Sequence, residues 1–473
     1  MASEAPEKRK KICITILRGW LARNFLHNDF YRILRERYDI VILTPAWKDE
    51  RFVKEFGHPH VRFVAYDEIE WSFADRIMTN LHRLLIWNRS VELHLRYGVG
   101  LLDKGQSAPI FYLTKLVFHP LSKLRFLRTL VRRFDEHFFQ RRPVADLTAL
   151  LERERPDLVI ATHPTGDIDA ALIKAAKRLG IRAWAMPKSW DNLSKSSFRA
   201  KADKLIVWSR YMKEKAVVYQ GYRPEEIAVI GVLHYDIFND TGRIVPYKEF
   251  CEAFGLDPDR KTIFYGSEGK LIPTDKDITT ILYEMIEHGE LKDSCQLLIR
   301  PHYGHKNDEK KFEHLLGKAH VAIDMFNRKS HTFKDEWDYS EEFTNRWLNS
   351  LHHASVIVNV RSSLTMDAAA LNRPAVNVMF DGFETHVPYQ RSLARMYAYD
   401  YYAELLETGG ATIVRSREEF RDAVNAYLKD PARDAPGRAR LVEKYSHRVD
   451  GKTGERFAAL VSATLDNSSA GIV

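Results

Sequence analysis

A chain of 473 residues is too long for one ordinary hydrophobic core, and its composition of 45% hydrophobic and 29% charged residues excludes a disordered protein. Its 72 Lys and Arg against 64 Asp and Glu give a net charge of +8, a modest excess that suits anionic ligands. Its three cysteines are far apart, which excludes a disulfide framework or a zinc motif and predicts a reducing cytoplasm. We expect neither a signal peptide nor a membrane-spanning helix.

The N-terminal half alternates apolar strands with helices. Strands are predicted at 12–17, 39–45, 61–66, 157–162, 181–186, 204–209 and 227–231. Amphipathic segments lie between several of them, at 24–38, 167–179 and 210–220. Because the strands are apolar along their whole length, the pattern predicts a parallel sheet that is covered by helices on both faces.

Residues 70–145 interrupt this alternation and are predicted to be a basic, helical insertion. Five apolar residues recur there at spacings of three and four: Leu124, Leu127, Val131, Phe134 and Phe138. Lysine and arginine occupy the remaining positions, which predicts a basic amphipathic helix around 121–138. In one interpretation the helix packs on the N-terminal domain and its basic face is solvated. In the other it sits on an anionic membrane surface or an anionic lipid-linked acceptor.

The C-terminal half repeats the strand pattern. Strands are predicted at 262–267, 321–325, 355–360, 375–380 and 411–416, and 296–302 is predicted to be a strand that runs into a loop. Turn-forming residues between the halves mark a linker. We therefore predict an α/β protein with two Rossmann-like parallel-sheet domains, 1–240 and 241–473, facing a central cleft. Ligands bind beyond the carboxyl ends of such strands, so the polar residues found there are the candidates for a site.

Two strand ends of the C-terminal half carry groups suited to phosphate. Ser362 and Ser363 open a short helix, whose free N–H groups and dipole attract anions. A plain helix N-cap is the alternative interpretation of this pair. Arg300 and His302 follow another strand, where arginine suits bidentate phosphate contact and histidine donates a hydrogen bond. The two strand ends together predict a phosphate-binding site.

Four more residues are expected around this site. Asp367 lies one turn beyond the serine pair, where its carboxylate would orient the hydroxyls or a ribose. Gly266 and Ser267 form a small-residue loop that lets a ligand approach closely. Glu268 in the same loop is a candidate acid or base.

The N-terminal half offers candidate residues for an acceptor and for catalysis. Lys188, Trp190, Asp191 and Asn192 follow the strand that ends at 186. An aromatic face beside hydrogen-bonding groups is a common way to hold a sugar, and Asp191 is a candidate general base. A turn with a packed tryptophan is the alternative interpretation.

Further strand ends and absent motifs narrow the chemistry. His163 is an alternative base, and Gly19 and Arg23 are expected near the acceptor. No G-x-x-x-x-G-K-[ST], H-E-x-x-H or G-x-S-x-G motif occurs, which excludes P-loop NTPases, zincins and most hydrolases. There is also no convincing Asp-x-Asp pair after a strand, so we predict a mechanism without metal or cofactor.

The C-terminal half resembles the CDP-glycerol glycerophosphotransferase and capsule-polysaccharide transferase group, which has the GT-B glycosyltransferase architecture. The matching segments are LLIRPHY (297–303), SVIVNVRSSLTMDAAALNRPAVNV (355–378) and VEKYSHRVDGKTGERFAAL (442–460). The resemblance implies a GT-B-like fold and assigns nucleotide-phosphate binding to these positions: Arg300, His302, Ser362, Ser363 and Asp367. Where that group has a catalytic histidine in a His-Gly loop, this sequence has residues 188–192, which favours Asp191 as the base.

These observations predict a GT-B-type transferase. It would move a glycosyl or polyol-phosphate group from a CDP-, CMP- or UDP-linked donor to a saccharide or lipid-linked acceptor in surface polysaccharide biosynthesis. His302, beside the donor phosphates, would assist Asp191 or His163 in catalysis. A UDP-sugar 2-epimerase-like isomerase and a non-enzymatic membrane-associated assembly factor are the alternatives. No nucleic-acid partner is expected, and the predicted location is cytoplasmic, with peripheral attachment to the inner membrane face as an open alternative.

Overall fold

The structure is a computed structural model that describes residues 9–66 and 71–466. Its framework is two parallel β-sheets. The first has seven strands: β1 Lys11–Thr15, β2 Asp39–Thr44, β3 Val61–Ala65, β4 Leu158–Ala161, β5 Arg182–Ala185, β6 Lys204–Val207 and β7 Ile227–Val229. The second has six: β8 Lys261–Gly266, β9 Cys295–Arg300, β10 Val321–Ile323, β11 Val356–Asn359, β12 Ala375–Val378 and β13 Thr412–Val414. The predicted α/β fold with two parallel-sheet domains is confirmed.

Nineteen α-helices cover the sheets of the described chain or extend from them. Those up to the end of the first sheet are α1 Gly19–Leu26, α2 Asp29–Arg37, α3 Glu50–Phe56, α4 Phe73–Leu84, α5 Arg89–Tyr97, α6 Ala108–Lys123, α7 Arg125–Phe138, α8 Arg141–Glu154, α9 Asp167–Arg178 and α10 Arg210–Lys215. The others are α11 Tyr247–Phe254, α12 Asp275–Glu287, α13 Glu341–His353, α14 Leu364–Ala370, α15 Leu393–Tyr397, α16 Asp400–Leu406, α17 Arg417–Lys429, α18 Ala435–Tyr445 and α19 Thr453–Asp466.

Strand order places the candidate sites. The first sheet runs β3-β2-β1-β4-β5-β6-β7 and the second runs β10-β9-β8-β11-β12-β13. The order therefore reverses between β1 and β4 in one sheet and between β8 and β11 in the other. At such a reversal the connections leave on opposite faces, which opens a crevice beyond the carboxyl ends of the strands. All six residues of β9 and all four of β11 are buried, as expected for central parallel strands.

The segment 325–340 and the last helix hold the two domains together. Arg51 Nη2, at the start of α3, donates to Asp338 Oδ1 at 2.6 Å, and the Asp338 side chain is buried. Helix α19 crosses back from the end of the chain and stacks Phe457 on Phe30 of α2, with ring centroids 4.1 Å apart. The N-terminal domain therefore packs against a helix that follows the C-terminal sheet in the chain.

Residues 73–138 fold into α4 to α7. Helix α7 packs against the domain with the side opposite to the one that the first interpretation of its sequence predicts. Arg128 and Arg132 are buried, whereas Phe134 and Phe138 are exposed. The two arginines turn inward because backbone carbonyls of the N-terminal domain accept their hydrogen bonds. The expectation that this helix buries its apolar side is wrong, and its basic side is divided, since Arg128 and Arg132 turn inward whereas Arg125 and Arg133 are exposed. No helix within the described ranges is both long enough and apolar enough to cross a membrane.

Candidate functional site

A cavity of about 160 Å³ lies at the carboxyl ends of β8, β9 and β11, beside the reversal of the second sheet. We call it the switch-point cavity. Seven of the predicted donor residues line it: Gly266, Ser267, Arg300, His302, Ser362, Ser363 and Asp367. These residues are up to 101 positions apart in the sequence. They meet because parallel strands end at the same edge of the sheet.

Arg300 ends β9 and is held in place by charge and by aromatic rings. Its side chain is only 8% exposed, its Nη1 lies 3.3 Å from Asp324 Oδ2, and its guanidinium lies 4.5 Å from the centroid of the Phe343 ring. Nη1 makes no well-aligned hydrogen bond to any residue that the structure describes. Asp324 receives a closer contact, at 2.7 Å, from Arg346. The guanidinium is therefore fixed in direction and retains hydrogen-bonding capacity for an anion.

His302 presents a neutral imidazole to the same cavity. Its backbone N–H donates to Asp308 Oδ2 at 2.7 Å, and its ring stacks on His305 with centroids 4.3 Å apart. Burial, assisted by repulsion from His305, lowers the pKa of His302 to about 4. Its Nδ1 is buried and makes no hydrogen bond within residues 9–66 and 71–466. A neutral ring of this kind donates one hydrogen bond and accepts another.

The serine pair connects β11 to α14. Asn359 Oδ1 accepts the Ser362 N–H at 3.2 Å, and Ser362 Oγ in turn accepts the Leu364 N–H at 3.2 Å. Ser363 is the N-cap residue and is exposed, but its side chain makes no capping hydrogen bond to the described helix. The plain N-cap interpretation therefore does not account for the Ser363 hydroxyl. It faces the cavity with hydrogen-bonding capacity left for a ligand.

Arg23, from α1 of the other domain, enters this cavity between two tryptophans. Its guanidinium lies 5.4 Å from the Trp337 ring centroid and 5.2 Å from that of Trp347. Burial lowers the pKa of Arg23 to about 10, with Asp367 opposing the shift and Arg300 adding to it. Guanidinium groups from the two domains therefore face one small space, where their mutual repulsion favours binding of an anion between them.

Asp367 lies on the wall that the switch-point cavity shares with a second one. Its Oδ1 accepts the Tyr235 hydroxyl at 2.7 Å. Burial raises the pKa of Asp367 to about 6, although the Tyr235 hydrogen bond and the Arg23 charge both favour the ionised form. This value lies close to neutrality, as suits a group that takes up a proton during catalysis.

The second cavity has a volume of about 250 Å³ and lies between the domains. We call it the interdomain cavity. The N-terminal domain contributes Trp20, Arg23, Asn24, Lys188, Ser189, Trp190 and Trp208, and the turn after β7 contributes His234 and Tyr235. The C-terminal domain contributes Trp337, Ser363, Met366 and Asp367. Four of these residues line both cavities: Arg23, Trp337, Ser363 and Asp367. Tryptophan faces beside polar groups suit the alternating apolar and hydroxylated surface of a sugar.

Lys188 and His163 stand on the Trp20 side of the interdomain cavity. The Lys188 ammonium lies 5.3 Å from the Trp20 ring centroid, and His163 meets the same ring edge-on at 6.2 Å. Burial lowers the pKa of His163 to about 3, and the positive charge of Lys188 adds to the shift. His163 is therefore neutral near pH 7, but it is a weak base in the absence of ligand.

Asp191 and Asn192 are not among the residues that line the interdomain cavity, although Trp190 beside them is. Burial raises the pKa of Asp191, but the ion pair with Lys195 more than offsets it, so the pKa is lowered. Trp190 is 3% exposed, and its ring packs edge-on against Tyr401 and Tyr445. Asn192 is buried and donates to Asp191 Oδ1 at 3.3 Å. The ring of Trp190 is thus largely covered by tyrosines, and the Asp191 carboxylate is engaged by a lysine.

Glu268 lies beside the switch-point cavity and is not one of the residues that line it. Burial raises the pKa of Glu268 to about 7, while the Ser362 hydroxyl and the Arg361 charge favour its ionised form. Gly266, at the end of β8, lies close to Leu364, since a Cβ at this position would come within 2.4 Å of Leu364 Cδ2. This close contact lets the loop that contains Glu268 lie next to the serine pair.

Replacing Gly19 with alanine is expected to strain the contact between the domains. The Gly19 N–H donates to Asp335 Oδ1 at 3.0 Å, and a Cβ at this position would lie 2.5 Å from the Trp337 carbonyl oxygen. Because the obstacle is backbone, we expect a loss of about 1–3 kcal/mol in the free energy of unfolding, measured by chemical denaturation. Gly242→Ala is the control, since its Cβ would meet only a side-chain oxygen, at 3.3 Å. Equal stability of the two variants would contradict this interpretation of Gly19.

Several lining residues were not predicted from the sequence. They are Trp20, Trp208, His234, Tyr235, Trp337 and Trp347. Trp208 directly follows β6, so the rule that located the other candidates applies to it as well. Trp337 lies in the segment 325–340 and Trp347 lies inside α13, and neither residue follows a strand. Within the described ranges, no three His, Cys, Asp or Glu side chains are grouped to hold a metal ion, and a metal-free mechanism stays a prediction.

Comparisons with known proteins identify the fold. No family model matches the chain, and no curated protein sequence matches it significantly. Similar solved structures include a UDP-GlcNAc 2-epimerase from Neisseria meningitidis bound to UDP-GlcNAc, with a TM-score of 0.57 and 11% identity over 96% of this chain and 100% of that one. A glycosyltransferase from Rickettsia africae ESF-5 gives 0.53 and 10% identity over 97% and 100%. The wall teichoic acid polymerase TagF gives 0.51 and 14% over 98% and 90%. The chain therefore has the GT-B-like fold that its sequence implied.

Proposed function

We propose that this protein is a GT-B-type transferase that moves a glycosyl or polyol-phosphate group from a nucleotide-diphosphate donor to a hydroxyl of a saccharide or lipid-linked acceptor. The observation that supports this most strongly is the meeting of Arg23 and Arg300, one from each domain, around one cavity that also holds His302 and the serine pair. Among the described residues lining the two cavities, Asp367 is the one carboxylate, so the lining carries an excess of positive charge.

The donor's phosphates occupy the switch-point cavity in this proposal. Arg300 binds them through its guanidinium, which lines the cavity, and Ser363 and His302 donate further hydrogen bonds. When the acceptor oxygen bonds to the transferred group, the bond to the leaving phosphate breaks and negative charge collects on that phosphate. Fixed cations and donors in a small, partly buried space stabilise this charge without having to reorganise.

The acceptor occupies the interdomain cavity, with its hydroxyl toward Asp367. Of the carboxylates considered, Asp367 lines both cavities, whereas Asp191 lines neither and is paired with Lys195. The pKa of Asp367 is raised to about 6, which makes Asp367 a better proton acceptor at neutral pH than an ordinary aspartate. We therefore assign the general base to Asp367, in place of the Asp191 or His163 that the sequence favoured.

The compared proteins support a nucleotide-linked ligand. The Neisseria enzyme holds UDP-GlcNAc, and the TagF crystals were soaked with CDPG. The sequence segments around Arg300 and Ser362 that resemble CDP-glycerol glycerophosphotransferases lie in the switch-point cavity here. Both observations favour a pyrimidine nucleotide donor and leave the transferred group to be identified by experiment.

An epimerase acting on a UDP-sugar is the second candidate. The observation that favours it is Glu268, a candidate acid or base that has a pKa raised to about 7 and lies next to Ser362 beside the switch-point cavity. The two functions differ in their need for an acceptor. Incubating UDP-GlcNAc with the protein alone in deuterated water gives deuterium at C2 if the protein is an epimerase, and leaves the sugar unlabelled if it is a transferase.

Calorimetric titration with nucleotides tests the donor site. We expect CDP or UDP to bind at least about 10-fold more tightly than CMP or UMP, because the second phosphate gains hydrogen bonds with charged groups. His302→Ala is expected to lower the affinity for the diphosphate about 10-fold. His288→Ala removes an exposed imidazole of the same domain and is the control. Equal affinity of the native protein and His302→Ala for all four nucleotides would eliminate this site.

A further inference from the structure

One surface of the protein holds most of its exposed large apolar side chains. Fourteen of the 21 such side chains in the described ranges lie between residues 73 and 138. They are Phe73, Ile77, Val99, Leu102, Ile110, Tyr112, Leu113, Leu116, Val117, Leu124, Phe126, Leu130, Phe134 and Phe138. Helices α4 and α6 both contact α7. We call the exposed apolar side chains of this helical region the helical apolar surface. Concentrations of exposed apolar side chains of this kind mark interaction sites.

The exposure follows from how α7 is attached to the domain. Arg128 Nη1 donates to the Tyr219 carbonyl at 2.9 Å, and Arg132 Nε donates to the Phe198 carbonyl at 2.9 Å. Asp135 is fully buried and accepts from Arg199 Nε at 2.7 Å. Polar side chains thus face inward and make buried hydrogen bonds, while Phe126 and Leu130 face outward and are 67% and 58% exposed. Rotating the helix to bury its apolar side would break this buried polar network.

Helix α6 adds the most exposed part of the surface. Leu113 and Leu116 are 63% and 75% exposed, and Ile110 and Val117 lie on the same side at helical spacing. Phe111 is the one residue of this 16-residue helix that is buried. A helix that buries so little of its apolar surface gains little from folding in water. Its apolar face is therefore available to another apolar medium.

Charge around the helical apolar surface is strongly biased. Seven exposed cations lie between residues 73 and 138: Arg76, Arg89, Arg96, Lys104, Lys123, Arg125 and Arg133. Asp103 is the one exposed acidic residue in that described range. A second copy of the chain would bring the same cations against these, which disfavours self-association. An anionic partner is favoured by the same charges.

We propose that the helical apolar surface docks the protein on a bilayer rich in anionic lipid. Leucine and phenylalanine side chains enter the boundary between headgroups and acyl chains, and the surrounding cations lie at the lipid phosphates. The helices lie along the membrane plane, with the buried arginine and aspartate side chains of α7 directed toward the domain.

The helical region that carries this surface is tied to the C-terminal domain. The segment 98–107, between α5 and α6, contacts the loop after β8, since the Leu101 N–H donates to the Leu271 carbonyl at 3.1 Å. Arg395 ties the same segment to the C-terminal domain through the Gly98 and Gly100 carbonyls, at 2.9 and 2.8 Å. The membrane proposal does not depend on the proposed function, although attachment to a membrane suits an enzyme with a lipid-linked acceptor.

Flotation with lipid vesicles tests the proposal on the full-length protein. The probes are vesicles of phosphatidylglycerol and phosphatidylcholine in equal amounts, and vesicles of phosphatidylcholine alone. We expect the native protein to float with the anionic vesicles, with an affinity that falls as salt rises. The triple variant Lys123→Glu, Arg125→Glu, Arg133→Glu is expected to bind at least about 100-fold more weakly, at roughly fivefold per cation removed.

A second variant tests the apolar contribution. Leu116→Glu with Phe126→Glu is expected to abolish flotation, whereas Leu316→Glu with Phe383→Glu, two exposed apolar residues elsewhere, leaves it unchanged. Thermal melting is expected to be similar for all variants, because the changed side chains are exposed. Absence of native binding to anionic vesicles, or equal loss in both double variants, overturns the proposal. A native dimer that Leu116→Glu with Phe126→Glu dissociates, without vesicle binding, also overturns it and assigns the surface to self-association.

Discussion

Replacing Asp367 with asparagine is expected to lower kcat about 10²- to 10⁴-fold, while the affinity for the nucleotide changes little. The substitution keeps the shape of the side chain and its hydrogen bond with Tyr235, but removes the group that accepts the proton. The rate of transfer, measured with saturating donor and acceptor, gives kcat, and calorimetry gives the nucleotide affinity. A parallel loss of both would indicate that Asp367 serves binding and not proton transfer.

Asp191→Asn is the matched comparison, since it changes the other carboxylate that the sequence proposed as base. Asp191 is ion-paired with Lys195 and lines neither cavity, so we expect a much smaller loss of kcat than for Asp367→Asn. A large loss for Asp191→Asn with a small one for Asp367→Asn would restore the assignment made from the sequence.

The pH dependence separates a base from a positioning residue. The pKa of Asp367 is raised to about 6, so the carboxylate is protonated, and unable to accept a proton, as the pH falls through that value. In the native protein log(kcat/KM) is expected to fall by about one unit per pH unit on the acidic side of this pKa. The Tyr235 hydroxyl favours the ionised form, so Tyr235→Phe is expected to move this limb to higher pH.

Replacing Arg300 with glutamine is expected to weaken CDP or UDP binding about 10- to 150-fold, the loss that follows from removing a hydrogen-bonded charge at a phosphate. Arg346→Gln is its matched control. Both arginines contact Asp324, at 3.3 and 2.7 Å, but only Arg300 lines the switch-point cavity. Both variants therefore disturb the buried aspartate, and a difference between them in nucleotide affinity indicates direct contact between Arg300 and the nucleotide.

Equal loss of affinity in Arg300→Gln and Arg346→Gln would assign the effect to Asp324 and to the local fold. Chemical denaturation of both variants gives the stability cost directly, since leaving a buried carboxylate with one partner fewer lowers the free energy of unfolding. Nucleotide affinity is compared at a temperature where both variants are folded.

The sheets were predictable because their strands are short apolar runs with helices between them, and burial on both faces leaves few other folds. The residues of the switch-point cavity were predictable for a related reason. Arg300, His302 and Ser362 each lie at the end of a strand or just beyond it, and the carboxyl ends of parallel strands share one edge of the sheet. This geometric rule requires no knowledge of packing between the domains.

The acceptor side was less predictable, because it depends on how the domains meet. Trp337 reaches the cleft from the segment 325–340, whose path is set by contacts such as Arg51 with Asp338. The orientation of α7 was also missed. Its hydrophobic periodicity is clear in the sequence, but that periodicity does not reveal that the backbone carbonyls of Phe198 and Tyr219 bind the helix through its arginines.

A crystal structure of the protein with CDP or UDP tests the central claim most directly. We expect the diphosphate to lie in the switch-point cavity, with phosphate oxygens within hydrogen-bonding distance of the Arg300 guanidinium and the Ser363 hydroxyl, and with Arg23 facing it from the other domain. Diphosphate bound elsewhere in the cleft, with the switch-point cavity filled only by water, would contradict it.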